Sequence, residues 1–320
     1  MVHSLPVLAA LHKTYPAAAI HWVIAAGLEG LLQGHPMIER LWIINKDRWK
    51  RPSALVTTIR EIAALAHELR GQRYDLVIDL QGLLRSGLIT AMTRCKTRIG
   101  FKEAREGSPL CYTHLVAGGS NVHAVDRYMK IAGFVGASAG AAECPMLYEP
   151  IREAWAAGLR PGQYIVMAPG AAWTTKRWAA RNFGRLAARL SIATVAVGGR
   201  SDDRLCEEVV EHSDGWAISA AGKTTLKGLA SLIRDARFMV TNDTGPMHIA
   251  AASAVPVFAV FGPTDPKRTG PYGSGHTVIR REIECSACLK KKCSTMRCLS
   301  DLPFEHVYDI IAEKLKDGNI

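Results

Sequence analysis

The sequence lacks the short motifs of the commonest nucleotide-binding enzymes. It has no G-x-G-x-x-G stretch, which argues against a dinucleotide-dependent oxidoreductase, and no G-x-x-x-x-G-K-[ST] stretch, which excludes a P-loop NTPase at motif level. An Asp-x-Asp metal signature is also absent. If a nucleotide diphosphate leaves here, protein cations and helix N–H groups must stabilise it instead of Mg²⁺.

The sequence also shows neither a recognisable signal peptide nor an uninterrupted apolar segment long enough to span a membrane. Residues 1–16 show neither a basic n-region nor a small-residue cleavage site, so we expect no signal peptide. Thr244–Thr264 carries no charged residue, but prolines and glycines interrupt it, so we interpret it as buried α/β core. Eight cysteines without an export signal indicate a reducing compartment, the cytoplasm.

Acidic residues are outnumbered, since 40 Lys and Arg stand against 29 Asp and Glu, for a net charge of +11. Most of the excess lies in residues 46–105. An acidic small substrate, an anionic membrane surface or nucleic acid would fit this charge. Because no nucleic-acid-binding motif is present, we expect no nucleic-acid partner.

The chain is organised around the stretch Phe238–Pro266. An apolar run, the polar turn Asn242–Pro246, an apolar helix and a second apolar run form a strand–helix–strand pattern. Pro246 suits a first helical turn, where its missing N–H costs nothing. The free N–H groups and the helix dipole at such a turn attract phosphates. The alternative is an ordinary turn capped by Asp243 or Thr244.

Strand and helix patterns alternate along both halves of the chain, which predicts an α/β fold with parallel sheets. A length of 320 residues allows two domains. We place the first at residues 1–148 and the second at 149–320, with a linker rich in Ala and Gly at 136–150 and a terminal helix at 305–316. Ligands of such folds bind at the carboxyl ends of the strands.

A basic loop, PGAAWTTKRW, follows the predicted strand Tyr164–Ala168. Hydroxyls and a cation in this position could grip a diphosphate, and the residues concerned are Thr174, Thr175 and Lys176. A solvated basic turn is the alternative, but the turn at Asp243–Gly245 should face the same crevice, which favours the binding role. Beyond the next strand, Asp202 could hold ribose hydroxyls, although we favour a helix cap.

Four cysteines form the pattern C-x2-C-x4-C-x4-C near the end of the chain: Cys285, Cys288, Cys293 and Cys298. Four thiols this close could bind a structural Zn²⁺. Their spacing is shorter than that of a zinc ribbon, and two local disulfides or four free thiols are the alternatives. We interpret the other four as isolated core residues: Cys95, Cys111, Cys144 and Cys206.

Taken together, PGAAWTTKRW, GKTTLKGLASLI, NDTGPMHIAAA and FGPTDPKRTGPYG resemble the bacterial lipopolysaccharide heptosyltransferases of glycosyltransferase family 9. The N-terminal half adds VHSLPVLAALHKTYP, DLQGLLRSG, AREG and HAVDR, so the resemblance covers nearly the whole chain. The D-x-Q-G and A-R-E-G runs are more similar to heptosyltransferase I, which adds the first heptose.

The resemblance implies a GT-B architecture, in which two Rossmann-like domains face each other across a cleft. It implies inverting, metal-independent transfer from ADP-L-glycero-D-manno-heptose, held by the C-terminal domain. The acceptor would be the Kdo region of lipid A–Kdo, held by the N-terminal domain at the inner face of the inner membrane. We expect a peripheral, cytoplasmic monomer.

The resemblance also implies roles for single residues. Arg200 stands where related enzymes can place a ribose-binding acid, and Asp202 is the substitute. The implied donor-binding residues are Thr174, Thr175, Lys176, Asp202, Asp243, Thr244, Gly245 and His248. The implied acceptor-binding residues are Arg60, Arg85 and Arg105.

The family begins with an apolar strand and a turn ending Gly-Asp-x-x-His, whose aspartate is the proposed general base. Aligning that histidine with His3 puts the aspartate immediately before Met1, so we expect the given sequence to lack the central first strand and the base. A nucleotide-sugar-binding protein impaired in catalysis, or a transferase of another nucleotide sugar, is the alternative.

We therefore predict weak or no turnover, because losing a general base costs about 10²–10⁴-fold in rate. Adding roughly 10–15 upstream residues should restore the strand and the activity. Comparing ADP release by the two forms checks this, and equal rates would contradict it.

Overall fold

A computed structural model describes residues 1–50, 53, 55–137, 142–318 and 320. The chain divides into two units, of which unit 1 comprises Met1 and His3–Pro145, and unit 2 comprises Val2 and Met146–Ile320. The division falls slightly before the boundary that we placed after residue 148. Within the predicted linker, residues 138–141 lie outside the described residues.

Unit 1 is built from parallel strands and helices. Its strands are β1 (His21–Ala25), β2 (Arg40–Ile44), β3 (Val77–Ile78), β4 (Arg98–Phe101) and β5 (His114–Val116). Its helices are α1 (Leu5–Thr14), α2 (Leu55–Gly71), α3 (Leu84–Met92) and α4 (Ala124–Phe134). In the described part of unit 1 the strands form two separate parallel sheets, in the orders β1-β2 and β3-β4-β5.

The turn after β3 is fixed by a buried carboxylate. Asp79 is 4% exposed, its Oδ1 accepts from the Gln81 and Gly82 amides, and its Oδ2 accepts from the Tyr112 hydroxyl at 2.6 Å. Burial, reinforced by this hydrogen bond, raises the pKa of Tyr112. The D-x-Q-G motif therefore shapes a turn, with Gly82 at a φ of 66°.

Unit 2 contains a six-stranded parallel sheet in the order β11-β10-β9-β6-β7-β8. The strands are β6 (Tyr164–Ala168), β7 (Ala193–Ala196), β8 (Ala217–Ser219), β9 (Met239–Asn242), β10 (Val257–Val260) and β11 (Thr277–Ile279). The helices are α5 (Ala180–Leu190), α6 (Asp203–Glu211), α7 (Leu226–Arg234), α8 (Gly245–Ala252), α9 (Pro266–Thr269), α10 (Arg297–Ser300) and α11 (Phe304–Lys316). If β6 is numbered as strand 1 of this unit, the strands run in the order 3-2-1-4-5-6 from β8 to β11, which is the order of the doubly wound Rossmann fold.

The core of unit 2 explains why its sheet forms. All residues of β6, β9 and β10 are buried, as near-continuous apolar runs covered by helices on both faces should be. Trp178, 1% exposed, packs edge-on against Phe183, and its indole N–H donates to the Leu302 carbonyl at 2.9 Å. The loop after β6 is thereby anchored in the core. Across the described residues, no helix combines the length and hydropathy needed to cross a bilayer.

Gly100 on β4 has no room for a side chain, since a Cβ there would lie 2.2 Å from the Tyr112 ring. We predict that Gly100→Ala lowers the free energy of unfolding by about 1–3 kcal/mol, because Asp79 holds that ring in place. Gly133→Ala on α4 is the control, since its Cβ would meet nothing within 4 Å. Urea unfolding followed by circular dichroism checks this, and equal midpoints for the two variants would contradict it.

Candidate functional site

The order of the sheet in unit 2 places two distant segments side by side. Strands β6 and β9 are hydrogen-bonded neighbours, with Ala168 opposite Thr241 at their carboxyl ends, although about seventy residues separate them. The helices that follow two such strands leave to opposite faces of the sheet, which opens a crevice between the loops. The PGAAWTTKRW loop and the start of α8 therefore meet at the switch point of the sheet.

Asn242, the last residue of β9, fastens the two loops together. Its side chain is fully buried, its Oδ1 accepts from the Trp178 amide at 3.1 Å, and its Nδ2 donates to the Pro169 carbonyl at 2.8 Å. Both partners belong to the segment after β6. The relative position of the loops is therefore set by hydrogen bonds that water does not reach.

Lys176 and Asp243 form an ion pair across the crevice. The Lys176 Nζ lies 2.7 Å from Asp243 Oδ2, and the side chains are 17% and 6% exposed. The Thr264 hydroxyl donates to the same Oδ2 at 2.7 Å. The ammonium thus stands beside the turn that we expected to bind phosphate.

The capping alternative for this turn is wrong. Thr244 occupies the N-cap position of α8 in extended conformation, and its side chain makes no cap bond to a described residue. Asp243 is engaged by Lys176 and Thr264, so its carboxylate does not cover the helix amides. The first N–H groups of α8 and the positive end of its dipole are therefore available to an anion.

The two threonines of the basic loop have different positions. Thr174 is exposed at the start of a short 3₁₀ turn, where a ligand can reach it. Thr175 is 2% exposed, and its hydroxyl donates to the Lys290 carbonyl at 2.9 Å. The predicted contact between the Thr175 side chain and a diphosphate is therefore not seen, because that hydroxyl holds the cysteine-rich segment.

Asp202 lies at the same edge of the sheet. It occupies the N-cap position of α6, but its side chain makes no cap bond to that helix within the described chain, and its Oδ2 accepts from the Gly199 amide at 3.0 Å. Asp202 therefore caps a helix, as we favoured, but the helix is the short 3₁₀ turn Arg200–Asp202 that precedes α6. A Cβ on Gly170, in the loop after β6, would lie 2.6 Å from the Asp202 carboxyl carbon. Asp202 therefore borders that loop. The other predicted donor residue, His248, lies half-buried in the first turns of α8.

The three predicted acceptor arginines all belong to unit 1. Arg85 is the second residue of α3, and its Nε is buried with no hydrogen-bond partner among the described residues. Arg105 is exposed in the turn after β4. Its backbone N–H donates to the Gly82 carbonyl at 2.9 Å, and this hydrogen bond joins the turn after β4 to the turn before α3. Arg60 is exposed on α2. The structure thus brings the turns of Arg85 and Arg105 together.

The four clustered cysteines are free thiols that line one small cavity together with Thr175. No group of three or more metal-binding side chains is gathered in the described part of the chain, so the structure does not support the Zn²⁺ prediction. Hydrogen bonds from the Met296 and Thr295 backbone lower the pKa of the exposed Cys293 thiol. Burial is the main cause that raises the pKa of Cys298, and the neighbouring thiols raise it further.

The other four cysteines are also free. Cys95 and Cys206 are buried, whereas Cys111 and Cys144 are partly exposed. Burial raises the pKa of Cys206 to about 12 and that of Cys144 to about 11, which makes both thiols unreactive at neutral pH.

Sequence reasoning missed several residues of this site. Asn242 and Thr264 were not singled out, although each stands inside a motif that we quoted, N-D-T-G and F-G-P-T. Trp173 was also overlooked: the ammonium groups of Lys176 and Lys291 lie 4.8 and 4.9 Å from the centroid of its ring. The signal for the contact between Trp173 and Lys176 was present in the sequence, because the two residues lie three positions apart in the PGAAWTTKRW loop.

Comparison with known proteins gives consistent matches along the chain. A family model described as glycosyltransferase family 9 (heptosyltransferase) matches residues 62–298. Lipopolysaccharide heptosyltransferase 1 of Pseudomonas aeruginosa is 29% identical over 308 residues, which cover 92% of this chain and 84% of that protein. The protein of the same name from Escherichia coli K12 is 27% identical over 295 residues, 89% of this chain and 91% of that one.

Two solved structures are similar over almost their full length. E. coli heptosyltransferase WaaC with ADP superposes with a TM-score of 0.78 at 25% identity, covering 98% of this chain and 95% of that one. A family 9 glycosyl transferase from Veillonella parvula gives a TM-score of 0.78 at 26% identity, covering 99% and 93%. These matches and the parallel sheets confirm the predicted α/β fold of GT-B class.

Proposed function

The chain belongs to glycosyltransferase family 9 (heptosyltransferase), and from that membership we propose that it transfers heptose from ADP-L-glycero-D-manno-heptose to the Kdo region of the lipopolysaccharide inner core. The observation that carries the donor half of this proposal is the meeting of Lys176 with the Asp243 turn at the switch point of unit 2. Relatives named lipopolysaccharide heptosyltransferase 1 align along most of the chain, which supports the acceptor half.

The site supplies positive potential where the leaving group acquires negative charge. As the acceptor hydroxyl attacks the anomeric carbon with inversion, the bond from that carbon to the ADP oxygen breaks, ADP departs and the hydroxyl proton passes to solvent water. Lys176 and the first amides of α8 are placed to stabilise the developing phosphate charge. Because these protein groups can serve that purpose, we propose that transfer needs no divalent metal and survives chelation by EDTA.

We place the remaining donor contacts around this centre. Thr174 is exposed beside Lys176, and Thr244 and Gly245 form the turn itself. Asp202 borders the loop after β6 from the side of β7, where a carboxylate can accept ribose hydroxyls. His248 supports the turn from within α8.

We assign the acidic acceptor to unit 1. Kdo carries a carboxylate, and a guanidinium binds a carboxylate through two parallel hydrogen bonds. Arg85 and Arg105 stand at joined turns, and the buried Arg85 Nε has no partner among the described residues, so this pair is the first candidate. Arg60 adds positive charge from α2.

The direct test removes the central ion pair without leaving a buried charge alone. Lys176→Met by itself would strand Asp243, which typically destabilises a protein by about 3–5 kcal/mol. We therefore predict that Lys176→Met combined with Asp243→Asn keeps the fold and lowers the rate of ADP release by about 10²-fold. The measurement uses ADP-heptose and Kdo-lipid A, in the 320-residue chain and in the extended form.

Lys316→Met on α11 is the matched control, since it removes one exposed charge far along the chain from the crevice. An unchanged rate in the double variant would contradict the donor site. ADP binding without turnover in both chain forms would instead favour the nucleotide-sugar-binding alternative.

We also propose that the protein, which we expect to be a monomer, meets the inner face of the inner membrane as a peripheral protein, because its acceptor is a lipid. Helix α2 exposes Leu55, Val56 and Ile59 to about 60% each, on one face at i, i+1 and i+4 spacing, with Arg60 adjacent. Apolar side chains beside basic ones suit an anionic lipid surface.

We predict that Leu55→Asp with Ile59→Asp reduces binding to phosphatidylglycerol vesicles several-fold, because it removes apolar contact and adds repulsive charge. Leu110→Asp is the control, since this residue of unit 1 is 91% exposed but is not on α2. Vesicle co-sedimentation measures both. Loss of binding in the Leu110 variant alone would contradict the assignment of α2.

A further inference from the structure

The cysteine-rich segment, residues 285–298, is fastened to the donor crevice of unit 2. The Thr175 hydroxyl donates to the Lys290 carbonyl at 2.9 Å, and the Leu289 amide donates to the Pro263 carbonyl at 2.8 Å. Pro263 immediately precedes Thr264, which donates to Asp243. The segment is therefore held at two points by the same loops that hold the ion pair.

This attachment brings a second ammonium group to the loop after β6. The Nζ atoms of Lys176 and Lys291 lie 4.8 and 4.9 Å from the centroid of the Trp173 ring. The electron-rich face of an indole attracts each cation. The two ammonium groups nevertheless repel each other. Because both distances are measured to the same ring centroid, the two Nζ atoms are no farther apart than the sum of these distances.

The charges of the two lysines are not equally compensated. Lys176 is paired with Asp243, whereas Lys291 is exposed and forms no ion pair with any described residue. Lys176 stands beside the turn that leads into α8, whose first amides receive no side-chain cap bond from Thr244. This part of unit 2 therefore gathers more positive charge than its own carboxylates neutralise, which favours the binding of an anion.

We propose that Lys291 is a second ammonium ligand of the donor diphosphate, carried to the crevice by the cysteine-rich segment and positioned by Trp173. The inference rests on the proposed function, because it takes the anion to be the diphosphate of ADP and its heptose derivative. A diphosphate has a negative charge on each phosphate group, so two ammonium groups can each be matched by one of them. Trp173 is a positioning residue that contacts the lysines.

The experiment measures the affinities of ADP and AMP by titration calorimetry. Lys291→Met should weaken ADP binding on the order of 10-fold, and more at low salt, because an exposed cation is screened by ions. AMP, which lacks the β-phosphate, should be weakened less. Lys292→Met is the matched control, since it removes the same charge from the neighbouring exposed residue and should change ADP affinity less than about twofold.

Trp173 is tested by rescue. Trp173→Leu should weaken ADP binding as Lys291→Met does, whereas Trp173→Phe, which keeps an aromatic face, should restore most of the affinity. A stacking or core role for the indole would predict equal losses of ADP and AMP.

Equal effects of Lys291→Met and Lys292→Met would overturn the proposal, because they would show a general charge effect. Equal weakening of ADP and AMP by Lys291→Met would overturn it as well. If the protein binds ADP and depends on Lys291 but transfers no heptose in either the 320-residue or the extended form, the proposed function fails and the role of Lys291 stands. If the protein transfers heptose and Lys291→Met has normal ADP affinity, only the role of Lys291 fails.

Discussion

Everything at the crevice of unit 2 depends on the ion pair between Lys176 and Asp243. Both side chains are largely removed from water, so neither charge could remain there alone without a penalty of several kcal/mol. The pair has a second consequence for the helix behind it. An aspartate in the turn before a helix could otherwise accept a hydrogen bond from the helix amides. Because Lys176 and Thr264 take the carboxylate, those amides stay open to a ligand.

The sheet order explains why these two residues meet at all. In a doubly wound sheet the first and fourth strands are neighbours, and β6 and β9 hold these positions in unit 2. Asn242 then locks the loop after β6 to the end of β9 through two buried hydrogen bonds. Function in this unit therefore follows from topology first and from side-chain chemistry second.

Much of the fold could be predicted from local pattern. The bounds of β6 agree with the apolar run from which we predicted it, because a buried parallel strand is a continuous apolar run. Strands β5 and β11 were missed, since three residues are too few to show a period. Helix α8 begins at Gly245, so Pro246 lies in its first turn, where we expected it because its missing N–H costs nothing there.

The site was predicted less completely, and the reason is physical. The Thr175 hydroxyl bonds to Lys290, more than a hundred residues away, and no local pattern encodes such a pairing. The spacing of the four cysteines likewise shows that the thiols are near one another in sequence, but not whether they converge on a point. Residue types and strand ends identified the crevice, whereas the directions of individual side chains depended on tertiary contacts.

The measurement that tests the central claim most directly is an amide chemical-shift titration of the ¹⁵N-labelled protein with ADP and with adenosine. The claim is that Lys176 and the first amides of α8 share one diphosphate. ADP should then shift the amide resonances of Thr244, Gly245, Met247 and His248, whereas adenosine should leave them in place. Identical shifts with adenosine, or ADP-dependent shifts confined to unit 1, would contradict the account.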